Sequence, residues 1–123
     1  MKELTKAEEQ IMQILWDLGQ GFVKEIIAEM DSPKPAYSTV STIVRILVKK
    51  EFIGYKVYGN THQYYPLISK EEYKKFETER LLNGYFDNSV ESLVSFFVQK
   101  EDLKMKDADK IIELLEDIKS KKS

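Results

Sequence analysis

The chain has 123 residues, 42% of them apolar, a formal net charge of −2 and no cysteine. That is enough for one domain, or for one compact domain plus an appendage, and the lack of cysteine excludes a disulfide framework, a thiolate metal site and a cysteine nucleophile. No apolar run approaches the roughly 20 residues of a membrane span, and Met1 to Thr5 leads into no apolar signal segment, so the expected location is the cytoplasm.

Thr5 with Glu8 three residues on is the sequence form of a capping box, which opens a helix. Ala7, Ile11, Ile14, Leu15 and Leu18 then keep helical spacing, widened by Met12 and Trp16, until Gly19 ends the run. Trp16 reads as core. After a short connection, Val23, Ile26, Ile27 and Met30 mark a second, shorter helix. Pro33 and Pro35 interrupt the pattern, because the residue before a proline is pushed out of the helical region.

A third helix is expected from near Ser38, with Val40, Ile43, Val44 and Leu47 inward and Ser38, Ser41, Thr42, Arg45 and Lys49 outward. The outward face holds short hydroxyls and cations and no carboxylate. A solvated helix face ordinarily mixes signs at pairing distance; this one suits close approach to a polyanion. From Pro33 to Pro66 the charges are Lys34, Arg45, Lys49, Lys50 and Lys56 against Glu51 alone. Over a Debye length of about 8–10 Å that local excess matters more than the net charge.

After Lys50 the period becomes two. Ile53, Tyr55 and Val57 alternate with Gly54, Lys56 and Tyr58, Gly59-Asn60 is a two-residue hairpin signal, and Thr61 to Tyr65 returns as a second strand stopped by Pro66. With that loop, Tyr55 opposes Tyr64 and Val57 opposes His62. Three helices, the third basic, followed by a hairpin is the order of a winged helix-turn-helix, in which the third helix enters the major groove and the wing lies along phosphates.

Ser69 with Glu72 opens a further helix with Tyr73, Phe76 and Leu81 inward, and Asn83-Gly84 reads as its break. Asn88 with Glu91 reads as the next capping box, ahead of Phe86, Val90, Leu93, Val94 and Phe97, with Phe96 and Val98 widening the stripe. A last helix carries Ala108, Ile111, Ile112, Leu115 and Ile118. These phenylalanines exceed what one buried face requires, and each large side chain left in water forfeits roughly 1.5–3 kcal/mol. Pairing of the tail with a second copy is the expected remedy, with Phe86, Val90, Leu93, Phe96, Phe97, Ile111 and Leu115 at the interface; an intramolecular three-helix cluster is the alternative.

On the third helix, Ser38 and Thr39 at the N-terminus suit phosphate, Ser41 and Thr42 suit base edges, and Arg45 suits guanine or phosphate. Lys49 and Lys50 suit phosphate or water. Tyr37 just ahead is a further DNA candidate, for phosphate, with hydrophobic packing as the alternative; Lys56, Tyr58, Asn60 and Thr61 of the wing are candidates for the DNA backbone, with plain strand packing as the alternative. His62, the single histidine, reads as a tolerated hairpin residue, and Glu71-Glu72 as favourable helix N-terminal charge. With one histidine and no cysteine, catalysis has almost nothing to use; no catalytic residue, metal site or cofactor is expected.

Several strings resemble the BlaI/MecI group of penicillinase and methicillin-resistance repressors: Glu8 to Trp16, Ser38 to Lys50 around Thr39 to Thr42, Gln63 to Pro66, and Ser92 to Val98. The likeness runs over nearly the whole chain. It implies a dimeric repressor whose N-terminal winged helix binds an operator palindrome, whose C-terminal helices dimerise, and which a membrane sensor-protease system releases by cleavage in the penultimate helix. The chain departs from the family pattern in three places. Ile46 stands where the family usually has arginine, with Arg45 one position earlier; the wing tip is Gly59-Asn60 where Gly-Arg is common; and Phe96-Phe97 aligns with a cleaved Asn-Phe bond. A copper-responsive branch that uses C-terminal cysteines is excluded by their absence.

The expected architecture is therefore mainly α: a winged helix-turn-helix over residues 1–68, three helices plus a small antiparallel β-wing, followed by a three-helix dimerisation tail over residues 69–123. The expected function is a homodimeric repressor binding double-stranded operator DNA. The rival reading is a winged-helix protein-interaction module that does not read DNA.

Overall fold

The computed structural model describes residues 1–100, 107 and 109–113. The chain divides into two compact units, Met1–Lys75 and Phe76–Ser123. Among the described residues the elements are α1 (Lys6–Leu18), α2 (Val23–Ala28), α3 (Tyr37–Lys49), β1 (Ile53–Tyr58), β2 (Thr61–Pro66), α4 (Lys70–Tyr85) and α5 (Val90–Gln99). Mainly helical with one two-stranded antiparallel sheet, this is the winged-helix arrangement the sequence predicts.

α1 starts where its capping box places it: Thr5 Oγ1 accepts from the Glu8 N–H at 3.2 Å and Glu8 Oε1 accepts from the Thr5 N–H at 2.8 Å. Gly19 closes it, its N–H donating to Leu15 O. The predicted stripe narrows in the structure. Ile11, Met12 and Leu15 are fully buried, whereas Ala7 and Leu18 are exposed. α2 begins at Phe22, whose N–H donates to the Glu25 carboxylate at 2.9 Å. Its far end is held by Lys34, which donates from Nζ to the carbonyls of Ile27, Ala28 and Met30 at 3.2, 3.1 and 2.7 Å. A cation at a helix C-terminus satisfies carbonyls that have no partner within the helix.

Val40, Val44 and Leu47 turn α3 onto α1 and α2, joined by Val23, Ile26, Phe52, Ile53 and Tyr64 in one core; Ile43 is half-buried. Burial of each of these side chains favours folding by about 1.5–3 kcal/mol. α3 ends in a Schellman arrangement: Glu51 sits at φ 65, its N–H donates to Val48 O, and the Phe52 N–H reaches back to Leu47 O at 3.0 Å. That turn delivers Phe52, 1% exposed, into the core and starts β1 immediately after it.

The hairpin has the predicted register, Tyr55 opposite Tyr64, Val57 opposite His62, and Tyr58 opposite Thr61 across Gly59-Asn60. Gly59 takes φ 58, a left-handed value that glycine adopts without a Cβ clash. Gly54 lies under the ring of Tyr65, where a Cβ would stand 2.8 Å from ring atoms. Two backbone hydrogen bonds between Gly21 and Tyr64, at 2.9 and 2.8 Å, tie the α1–α2 connection to β2 and fix the base of the wing.

The first unit extends past the wing because Tyr73 of α4 is buried against it. Its ring meets Phe52 at 5.7 Å and Trp16 at 6.0 Å, and its hydroxyl accepts from the Leu4 N–H at 3.1 Å. The Trp16 indole N–H donates to Ile68 O at 2.9 Å, so the predicted core residue is half-buried and anchors the segment leaving the wing. The predicted Ser69–Glu72 capping box is formed in both directions.

In the second unit the structure corrects three expectations. Asn83-Gly84 is not a break: α4 is helical to Tyr85, at the modest cost of about 1 kcal/mol for a glycine inside a helix. Leu81 is exposed, not inward. The cap of α5 is Ser89, which accepts from the Ser92 N–H at 3.1 Å, and not Asn88, which takes a left-handed φ of 61. Val94 is buried, Phe86 packs edge-on against Phe96 at 5.8 Å, and Phe96 against Phe97 at 5.7 Å. Residues 107 and 109–113 are helical; Ala108, Leu115 and Ile118 lie outside the described residues.

Candidate nucleic-acid interface

Packing three side chains of α3 inward leaves Tyr37, Ser38, Thr39, Thr42, Arg45, Ile46 and Lys49 exposed. No side chain caps the N-terminus of α3, so its first N–H groups remain available to an anion. Thr42 donates its hydroxyl proton to Ser38 O at 2.9 Å, and so would meet a base as an acceptor or through its methyl. The Arg45 guanidinium donates to Ser41 Oγ at 3.2 Å. Among the described residues no carboxylate pairs with Arg45 or Lys49, and both keep their charge for an external partner.

Lys50 does not belong to this face. Its Nζ lies 2.7 Å from Glu8 Oε1, against the expectation of phosphate or water. Lys34 is likewise engaged at the end of α2. The local cation excess read from the sequence therefore reduces, among exposed cations without a partner here, to Arg45, Lys49 and Lys56.

Between α3 and the wing lies an open cavity of about 670 Å³. Tyr37, Ser41, Arg45 and Val48 line it from α3, Phe22 to Glu25 from the start of α2, and Tyr55, Asn60, Thr61, His62 and Tyr64 from the hairpin. It brings together four of the predicted DNA residues, Tyr37, Ser41, Arg45 and Asn60. Ser38, Thr39, Thr42 and Lys49 do not line it, nor does exposed Lys56. Tyr58 packs edge-on against Phe22 at 5.7 Å. Burial pushes the Tyr64 phenol above its ordinary pKa; Tyr37 and Tyr55 add to this and Arg45 opposes it. The phenol at the groove floor is thus neutral at neutral pH.

The fold and this face can be set beside known proteins. Residues 4–117 match the penicillinase repressor family. The methicillin resistance regulatory protein MecI of Staphylococcus aureus (strain N315) is 32% identical over 114 residues, covering 92% of this chain and 93% of that protein. The chain belongs to the penicillinase repressor family. The penicillinase repressor of Bacillus licheniformis is 24% identical over 125 residues, covering 98% of this chain and 94% of its own. The solution structure of the DNA-binding domain of the repressor BlaI superposes with a TM-score of 0.50 and 26% identity, over 59% of this chain and 94% of that domain.

Within this family, the departures of the chain acquire positions. Ile46, expected from the resemblance to be a departure, is 41% exposed between Arg45 and Lys49, an apolar group suited to a thymine methyl. Periodicity alone hides such a residue, because it reads as one more apolar position. Phe96 and Phe97 are 44% and 41% exposed within a single chain and Tyr85 is 81% exposed. Phe86, Val90 and Leu93 are half-buried and Ile111 is exposed; Leu115 lies outside the described residues. Among the described residues no helix is long and apolar enough to cross a membrane and no cluster of side chains could hold a metal ion.

Proposed function

We propose that the chain is a homodimeric, sequence-specific transcriptional repressor that places α3 in the major groove of a palindromic operator. The observation that carries this reading is the exposed, carboxylate-free face of α3 in a winged-helix fold. Ser38 and Thr39 meet phosphate at the helix start, Thr42, Arg45 and Ile46 meet base edges, and Lys49 meets the backbone. Tyr37 and Ser41 flank the groove, while Lys56 and Asn60 serve the wing.

The tail supports a two-fold assembly. Exposed Phe96, Phe97 and Tyr85 leave apolar surface that a second copy would cover, with residues 69–123 as the dimerisation domain and 1–68 as the reader. The names of the relatives, a methicillin resistance regulatory protein and a penicillinase repressor, support β-lactam resistance as the regulated response; relief by a membrane sensor-protease is the further part of this reading. The aligned bond Phe96–Phe97 lies inside α5, so cleavage there requires local unwinding.

The test is fluorescence anisotropy against a duplex selected from a randomised pool. Arg45→Ala should lose about 1–3 kcal/mol of discrimination between the selected and a scrambled site. Lys49→Ala should weaken both equally and lower the salt slope by about 0.9. Unchanged affinity in both variants would overturn the assignment of α3. Failure to select any duplex would favour a protein-interaction module.

A further inference from the structure

The groove between α3 and the wing has more aromatic surface than contact with phosphates requires. Its volume of about 670 Å³ falls within the roughly 300–1,000 Å³ of small-ligand sites, which are mostly apolar with a few placed polar groups. Phe22 from the start of α2, Tyr37 from α3, and Tyr55, His62 and Tyr64 from the hairpin contribute five rings to its lining. Tyr55 and His62 stack with centroids 4.5 Å apart and planes 11° from parallel. Tyr64, 6% exposed, lies 6.1 Å from each of them. The wing side of the groove is thus a set of rings that brace one another, which lowers the ordering cost of binding.

Charge in the groove is one-sided. Arg45 and Lys24 line it against Glu25, and the Glu25 carboxylate already accepts from the Phe22 N–H at 2.9 Å. Among the described residues the Arg45 guanidinium donates to the neutral Ser41 Oγ, at 3.2 Å, and to no carboxylate, so most of its five N–H donors are unspent. A guanidinium fork beside a wall of rings matches a carboxylate carried on a flat aromatic system. The fork takes both carboxylate oxygens and the ligand rings lie against the protein rings. A lone phosphate would use the fork and leave the rings unmatched, and an amine would meet Arg45 and Lys24 as like charges.

We propose that this groove binds a planar aromatic carboxylate of two or three fused rings, held by Arg45 and packed among Tyr37, Tyr55 and Tyr64, and that this ligand and DNA exclude each other. The exclusion rests on the repressor reading, because Arg45 serves both partners; the site itself does not. By linkage, the ligand weakens duplex binding by the same factor by which the duplex weakens the ligand.

The probe is β-naphthoate, with β-naphthylmethanol as the same ring system without the charge. Calorimetric titration into the full chain without DNA should give saturable binding of β-naphthoate, with β-naphthylmethanol weaker by roughly tenfold or more. Arg45→Met should bring the two compounds to equal affinity, and Tyr55→Ser should weaken both, with circular dichroism confirming that each variant is folded. In anisotropy, saturating β-naphthoate should displace the selected duplex from wild type. No saturable binding by folded wild type, or binding that neither folded variant changes, would overturn the site and leave the reading by α3 intact. Binding that leaves duplex affinity unaltered would overturn the exclusion. A wild type that takes β-naphthoate but no duplex at any salt would sink the repressor reading, and the exclusion with it, while upholding the site.

Discussion

Lys50 and Glu8 form an ion pair at 2.7 Å although they stand 42 residues apart in the chain. The Glu8 carboxylate is nearly inaccessible, and the oxygen that takes the Lys50 ammonium also takes the Thr5 N–H at 2.8 Å. One carboxylate thus closes the start of α1 and ties it to the end of α3.

Burial would raise the Glu8 carboxyl, but the hydrogen bonds from Lys50 and Thr5 and the Lys50 charge outweigh it and hold the group below its usual value of 4.5. A depressed folded value means that the folded state binds fewer protons. The stabilisation is present above about pH 4.5 and is lost as pH falls through the lower folded value. Glu8→Gln should cost about 1–3 kcal/mol at neutral pH. In urea unfolding the gap to wild type should close on acidification, and a gap constant with pH would refute the linkage.

Lys34→Ala should destabilise the chain by about 1 kcal/mol, because the carbonyls of Ala28 and Met30 at the end of α2 lose the ammonium, while Ile27 O keeps the Met30 N–H at 3.0 Å. The salt slope of DNA binding should not change. A slope smaller by about 0.9 would instead make Lys34 a phosphate contact.

Glu51→Gly should raise stability by about 1 kcal/mol, since a residue with a Cβ pays for the left-handed φ of 65 that the turn after α3 demands. Thermal unfolding measures it, with DNA affinity at neutral pH as the control. A lower melting temperature would mean that the Glu51 side chain contributes more than its backbone strain costs.

Phe97→Asp should convert a sedimenting dimer to monomer and weaken operator binding, because a charge replaces apolar surface that pairing would cover. Circular dichroism checks that the helices persist. A variant that stays dimeric removes α5 from the interface.

Local rules carried the N-terminal unit far. The Thr5–Glu8 box, the Ser69–Glu72 box and the Gly59-Asn60 loop each fix geometry within three or four residues, and a two-residue loop alone sets the whole hairpin register. What stayed hidden depends on distant partners. Lys50 and Lys34 look like free cations until the fold brings Glu8 and the end of α2 to them. Asn88 and Ser89 are both good cap types, and only the entry direction of the chain, with Asn88 at φ 61, selects Ser89. His62 shows no pattern of its own; only the folded hairpin stacks it on Tyr55, with centroids 4.5 Å apart.

Trp16 is the only indole in the chain, donating to Ile68 O and lying 6.0 Å from Tyr73. Its emission is therefore an optical label on Met1–Lys75 alone, quenched or shifted when the segment leaving the wing lets go of α1. Far-UV ellipticity includes α5 as well, where no indole exists. Following both signals through one denaturant titration separates the melting of the first unit from that of α5 without adding a dye.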